Sequence, residues 1–202
     1  MVRIRTTVPF SGKPVPRHSG GPTMTETAPV PGYTVGTWDI DAVHSDVEFT
    51  LRHMGVGRSR GRFDKFEGQI VTAENPLESS VTATIDTASV NTGNADRDAH
   101  VRNEDFLDTA NYPTATFRST GIRQDGDEWV IDGDFTLHGV TLPVSLQVEP
   151  GGIADTADGG KMLGLSASTT LNRTDFKVGP DGGAMLGEKV KITLEIEATL
   201  RK

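Results

Sequence analysis

The sequence predicts an all-β protein, an eight-stranded antiparallel barrel with one short helix. Three observations carry this. Apolar residues recur at alternate positions in successive segments from Tyr33 onward, turn-forming residues separate those segments, and a single stretch departs from period two. Such alternation marks strands with one face buried and the other wet. Eight sequential strands joined by short turns favour an up-and-down barrel, because closure removes the unpaired edges that an open sheet presents. A two-sheet sandwich fits the same strand count and stays open as the alternative.

Taken in order, strands are expected over residues 38–54, 61–71, 80–90, 114–122, 129–137, 142–148, 163–171 and 190–200. The last is the clearest: Val190, Ile192, Leu194, Ile196, Ala198 and Leu200 alternate with Lys191, Thr193, Glu195, Glu197 and Thr199. Leu142, Val144, Leu146 and Val148 repeat the pattern, as do Trp129, Ile131, Phe135 and Leu137, with Gly133 among them. A glycine inside a strand suggests a bulge or bend. Turn chemistry lies between strands at Asn75–Pro76, residues 124–127, His138–Gly139, residues 158–160 and residues 181–183. The helix is expected over residues 96–109, where Val101, Phe106 and Leu107 form an irregular apolar face and Tyr112–Pro113 ends it.

The chain has 202 residues, 35% of them hydrophobic, which suits one core. Its net charge of -8 argues against a nucleic-acid partner, whose phosphates a basic surface must neutralise. Without cysteine there are no disulfides, thiolate metal sites or cysteine nucleophiles. Residues 1–31 read as a disordered arm ahead of a folded domain over 32–202: the arm holds Arg3, Arg5, Lys13 and Arg17, is rich in proline, and has Glu26 as its one acidic residue. Pro9, Ser11, Gly12, Lys13 and Pro14 interrupt every apolar run that could serve as an export signal. The expectation is a cytoplasmic protein with no stable membrane insertion; Met24 offers a second start.

Several signatures of chemistry fail for physical reasons. Residues 182–189 have the glycine spacing of a phosphate loop, but Glu188 stands where a lysine must meet the phosphate, and a strand follows instead of a helix. Residues 164–168 approach a nucleophile elbow without its last glycine. His44 and His53 are nine apart, so on one regular strand they face opposite sides. His53 shares parity with Val47, Phe49 and Leu51, as a hydrogen-bonded core histidine would, and His44, His53, His100 and His138 do not suggest a metal site. Carboxylates are scattered among turns and outward positions, with no acid/base pair. Neither a cofactor nor a catalytic residue is expected.

Five fragments in order resemble the YceI-like family: WDIDAVHSDVEFTLRH from Trp38, GRFDKFEG from Gly61, NTGNADRDAHVRNEDFLDTANYPTATFRS from Asn91, DGDFTLHGVTLPVSL from Asp132 and NRTDFKVG from Asn172. One departure is Lys177, where the family usually has glycine after Asp175–Phe176. The resemblance implies a lipocalin-like barrel with an elongated apolar pore that binds polyisoprenoid lipids such as quinones or their precursors, with the short helix near the mouth. The expected partner is then a long-chain isoprenoid lipid or quinone, and a homodimer stays open. The pore-lining candidates are Phe49, Leu51, His53, Phe63, Ile85, Phe117, Trp129, Ile131, Phe135, Ile192 and Leu194. Asn94, Arg97, Asp98, His100 and Arg102 are candidates for headgroup contact, with solvated helix-cap residues as the plainer alternative. Two other functions stay open: an enzyme on a hydrophobic substrate using His53, and a solid barrel serving as an interaction module.

Overall fold

The computed structural model describes residues 30–125, 128–182 and 185–202. Its strands are β1 (Gly36–Ile40), β2 (Asp46–His53), β3 (Gly57–Phe63), β4 (Phe66–Thr72), β5 (Ser80–Asp86), β6 (Val90–Asn91), β7 (Thr114–Asp125), β8 (Glu128–Leu137), β9 (Val140–Asp155), β10 (Lys161–Asn172) and β11 (Leu186–Leu200), with one α-helix, α1 (Ala95–Arg102). β1 is hydrogen-bonded to both β4 and β11, which closes the sheet and excludes the sandwich. β11 pairs with β1 at its C-terminal end, Leu200 opposite Trp38, and with β2 nearer its start, Val190 opposite Leu51. β1 and β2 are therefore two halves of one stave. The same holds for β3 with β4, and for β5 with β6, which gives eight antiparallel staves in chain order.

The three broken staves explain a feature that period two alone does not reveal. Trp38 and Ile40 face inward on even positions, whereas Val47, Phe49 and Leu51 face inward on odd ones. Parity changes at residues 41–45, where Asp41 accepts from the Val43 amide (2.9 Å) and sits 2.9 Å from His44 Nδ1, while Ser45 exchanges hydrogen bonds with the Glu197 backbone. A short polar side chain that bonds its own backbone offers the chain an alternative to the ladder. The change recurs at Asp64–Lys65, so that Phe63 and then Phe66 face in, and at Thr87–Ser89, between Ile85 and Val90. His44 thus lies in a turn, outside the regular strand on which its facing was judged.

The bulge suggested by Gly133 falls on the facing strand, where the β7 register shifts between Ser119 and Gly121. Gly133 has a different role: a Cβ there would run into the Phe117 ring lying across it. α1 stops at Arg102, earlier than its apolar pattern suggests. Asn103 takes the chain out of the helix, its side chain accepting from the Asp105 amide at 3.0 Å and its carbonyl from the Asp108 amide at 2.9 Å. Phe106 and Leu107 follow in a turn that packs on the barrel end. Of the arm expected over residues 1–31, only Val30 and Pro31 lie within the described residues, and the Pro31 carbonyl accepts from the Ile153 amide at 2.9 Å. The turns expected over 124–127 and 181–183 lie partly outside them.

Apolar packing divides into two clusters. One gathers Trp38, Ile70, Leu163, Ile196 and Ala198 around β1 and the C-terminal end of β11. The other gathers Val90, Leu107, Phe176 and Val178 at the opposite end, under α1 and the loop after β10.

Candidate functional site

The cross-strand registers place Phe49, Leu51, Phe63, Ile85, Phe117, Trp129, Ile131, Phe135, Ile192 and Leu194 on the same inner face. Phe49 lies opposite Ile192, Leu194 opposite Val47, Phe117 opposite Phe135, Trp129 opposite Val148, Ile131 opposite Leu146, Ile85 opposite Phe66 and Phe63 opposite Val90. His53 is different. It keeps the parity of Leu51, but β2 runs past the barrel rim there and leaves the side chain exposed, so it is not the hydrogen-bonded core histidine that parity suggested.

Burial along this face is uneven. Phe117, Trp129 and Ile131 are buried, whereas Phe49, Leu51, Phe63, Ile85, Phe135, Ile192 and Leu194 are half-buried. β9 is the clearest case: Val140, Leu142, Val144, Leu146 and Val148 all point inward and none is fully buried. In a core packed to normal density such residues would be covered on all sides. An apolar cavity of about 100 Å³ opens at the end that holds Trp38, its walls including Ile70, Val81, Ile131, Ile153 and Leu165. That is smaller than the roughly 150 Å³ that admits benzene.

The helix-entry residues are committed to one another. Asn94 caps α1 by accepting from the Arg97 amide at 2.9 Å. The Arg97 guanidinium folds back onto the hydroxyl and carbonyl of Thr92, at 2.7 Å each. Asp98 is buried, and the Thr92 hydroxyl and amide that donate to it hold its carboxyl below the usual range. Arg102 donates to the carbonyls of Ala88 and Val90, tying α1 to β6. His100 packs edge-on against Phe106 and lies 3.6 Å from Asp105. This arrangement ties the helix entry to β6 and to Thr92, with Asp98 buried rather than solvated.

Sequence reasoning gave Arg173 no role. The residue is 4% exposed, and its guanidinium donates to the carbonyls of Val178, Pro180, Leu186 and Gly187, gathering the loop after β10 around one charge. Phe176 beside it fills the end of the barrel against Phe135. A loop arginine in a sequence reads as solvated, and only the convergence of four carbonyls identifies this one. Lys177 has φ +58°, a left-handed conformation that disfavours side chains by about 1–2 kcal/mol. Replacing Lys177 by glycine is expected to stabilise the protein by about 0.5–1 kcal/mol, the gain being trimmed by glycine's greater freedom when unfolded. A chemical-denaturation midpoint that fails to rise in Lys177→Gly would contradict this account of the strain.

Comparison with known proteins places this architecture. A family model described as "YceI-like domain" matches residues 38–198. Protein YceI of Escherichia coli O157:H7 is 40% identical over 165 residues, covering 81% of this chain and 86% of the relative. The crystal structure of the Campylobacter jejuni YceI protein superposes with a TM-score of 0.68 at 29% identity, covering 84% of this chain and 98% of that one. A domain from Saccharophagus degradans, described as polyisoprenoid-binding and implicated in plant cell wall breakdown, shares the fold with a TM-score of 0.63 at 18% identity, covering 83% of this chain and 100% of its own.

Proposed function

The chain belongs to the YceI-like family, and from that membership and its interior we propose that it is a non-catalytic carrier holding a long-chain isoprenoid lipid, a quinone or a polyprenyl precursor, within the barrel. The observation that supports this most directly is the half-buried inner face of β9. The polyisoprenoid-binding description of the Saccharophagus degradans domain agrees with it. Each methylene removed from water contributes about 0.8 kcal/mol, so a tail of many isoprene units is driven strongly inward. Ordering that flexible tail offsets much of the gain, and tight affinity does not follow from length alone. The enzymatic alternative needs a carboxylate orienting His53; instead, His53 is exposed beside Arg52 with Leu186 opposite it.

Organic extraction of freshly purified protein followed by mass spectrometry is expected to release a long-chain isoprenoid. Finding no bound lipid, together with no uptake of added quinone, would overturn the carrier reading. A paired substitution separates a hollow barrel from a solid one. Leu194 points inward and Thr193, opposite Glu48, points outward. In a solid core the indole of Leu194→Trp would be overpacked, at a cost of about 1–3 kcal/mol. In a hollow one it takes the place of the tail, so quinone uptake falls while the denaturation midpoint moves little. Thr193→Trp should change neither quantity much. Marked destabilisation by Leu194→Trp with uptake retained would contradict the carrier.

A further inference from the structure

The hairpin joining β2 to β3 concentrates positive charge in a chain of net charge -8. Arg52 lies directly opposite Arg58, and Arg60 opposite Thr50, which is itself opposite Lys191 of β11. Like charges facing each other across a ladder destabilise it. Arg62, nearer the barrel waist, is matched by Asp64 at 2.7 Å. The side chains of Arg52, Arg58, Arg60 and Lys191 have no ion pair or hydrogen bond among the described residues, and on the adjoining start of β11 Lys189 and Lys191 outnumber Glu188.

The tip of the same hairpin is apolar and uncovered. Met54 is 60% exposed, Val56 87% and Met185 69%, and the Met54 amide donates to the Met185 carbonyl at 2.8 Å, which brings the three together. We propose that this tip docks on an anionic lipid bilayer, with Met54, Val56 and Met185 entering the boundary between headgroups and acyl chains and the surrounding cations facing anionic headgroups. A collar of cations around protruding apolar side chains fits a surface that is charged outside and apolar beneath. A nucleic acid or an acidic protein would match the cations but give the apolar tip nothing to enter. The acidic remainder of the barrel is repelled by the same surface, which orients the hairpin towards it. Phe49, Leu51 and Phe63 form the inner side of this hairpin, so docking also brings the barrel interior to the bilayer. The docking geometry is independent of which molecule the interior holds.

Co-sedimentation of the full chain with phosphatidylcholine vesicles, with and without phosphatidylserine, tests the proposal. Binding is expected only with phosphatidylserine and should weaken as salt rises. At about 1 kcal/mol per cation near such a surface, the double variant Arg58→Ala/Arg60→Ala should bind roughly 30-fold more weakly. Val56→Asp should also lose binding, and unchanged denaturation midpoints would show that both variants fold. Absence of wild-type binding, or binding indifferent to these substitutions, would overturn the proposal. So would binding that soluble heparin abolishes and Val56→Asp leaves intact, since that pattern belongs to a polyanion site. The outcome does not depend on lipid extraction: a barrel that yields no isoprenoid and takes up no added quinone, but binds these vesicles, leaves the docking surface standing and removes only the carrier.

Discussion

Arg173→Ala is expected to lower the free energy of unfolding by about 3–5 kcal/mol, enough to remove a large share of the stability of an ordinary domain. The guanidinium is almost fully buried and satisfies four backbone carbonyls, those of Val178 and Pro180 within the loop and those of Leu186 and Gly187 at the start of β11. Each hydrogen bond from a charged donor is worth roughly 1.5–3 kcal/mol net, and the truncation leaves acceptors that water reaches only in part. The loop also carries Phe176, so its loosening uncovers the cluster with Leu107 and Val178. Arg173→Lys should recover less than half of the loss, because one ammonium cannot span the positions that the planar fork reaches. The check is the urea midpoint at unchanged slope. A loss below about 1 kcal/mol for Arg173→Ala would mean that the carbonyls find equivalent partners and that this residue does not organise the loop.

Trp38→Ala should cost about 3–5 kcal/mol for a different reason. The ring is fully buried where β1 bridges β4 and β11, the seam that closes the barrel, and it packs with Ile70, Leu163, Ile196 and Ala198. Its Nε1 donates to the Thr72 hydroxyl at 2.8 Å, and that hydroxyl in turn donates to the Thr34 carbonyl at 2.7 Å. Trp38→Phe keeps most of the volume and deprives Thr72 of one partner, so its loss should be nearer 1–2 kcal/mol. Comparing the two variants by thermal and chemical denaturation separates packing from the hydrogen bond. Equal losses would show that the polar contact dominates; a small loss in Trp38→Ala would show that the seam does not depend on this ring.

Much of the site could be read from residue order because a strand's facing has period two. Trp129 with Ile131, and Ile192 with Leu194, share a face by parity alone, and cross-strand pairing left that relation intact, whereas Phe117 and Phe135 are joined only by the register of β7 on β8. His53 shows the limit: parity gives the side on which a residue sits but not whether the strand still borders the interior at that point. The helix pattern misled in a similar way, since Phe106 and Leu107 are apolar because they cover the barrel end and not because they continue α1.

The sequence by itself determined that the chain is all-β, that it has eight staves in meander order, and which apolar residues accompany one another on a face, because alternation and turn chemistry are local properties of the chain. Tertiary structure alone decided that the sheet closes through β1, that three staves break and change parity, that Arg173 gathers four carbonyls, and how deeply each inward residue is buried. Closure joins segments far apart in sequence, and the others depend on particular side chains meeting particular backbone groups, which no period along the chain encodes.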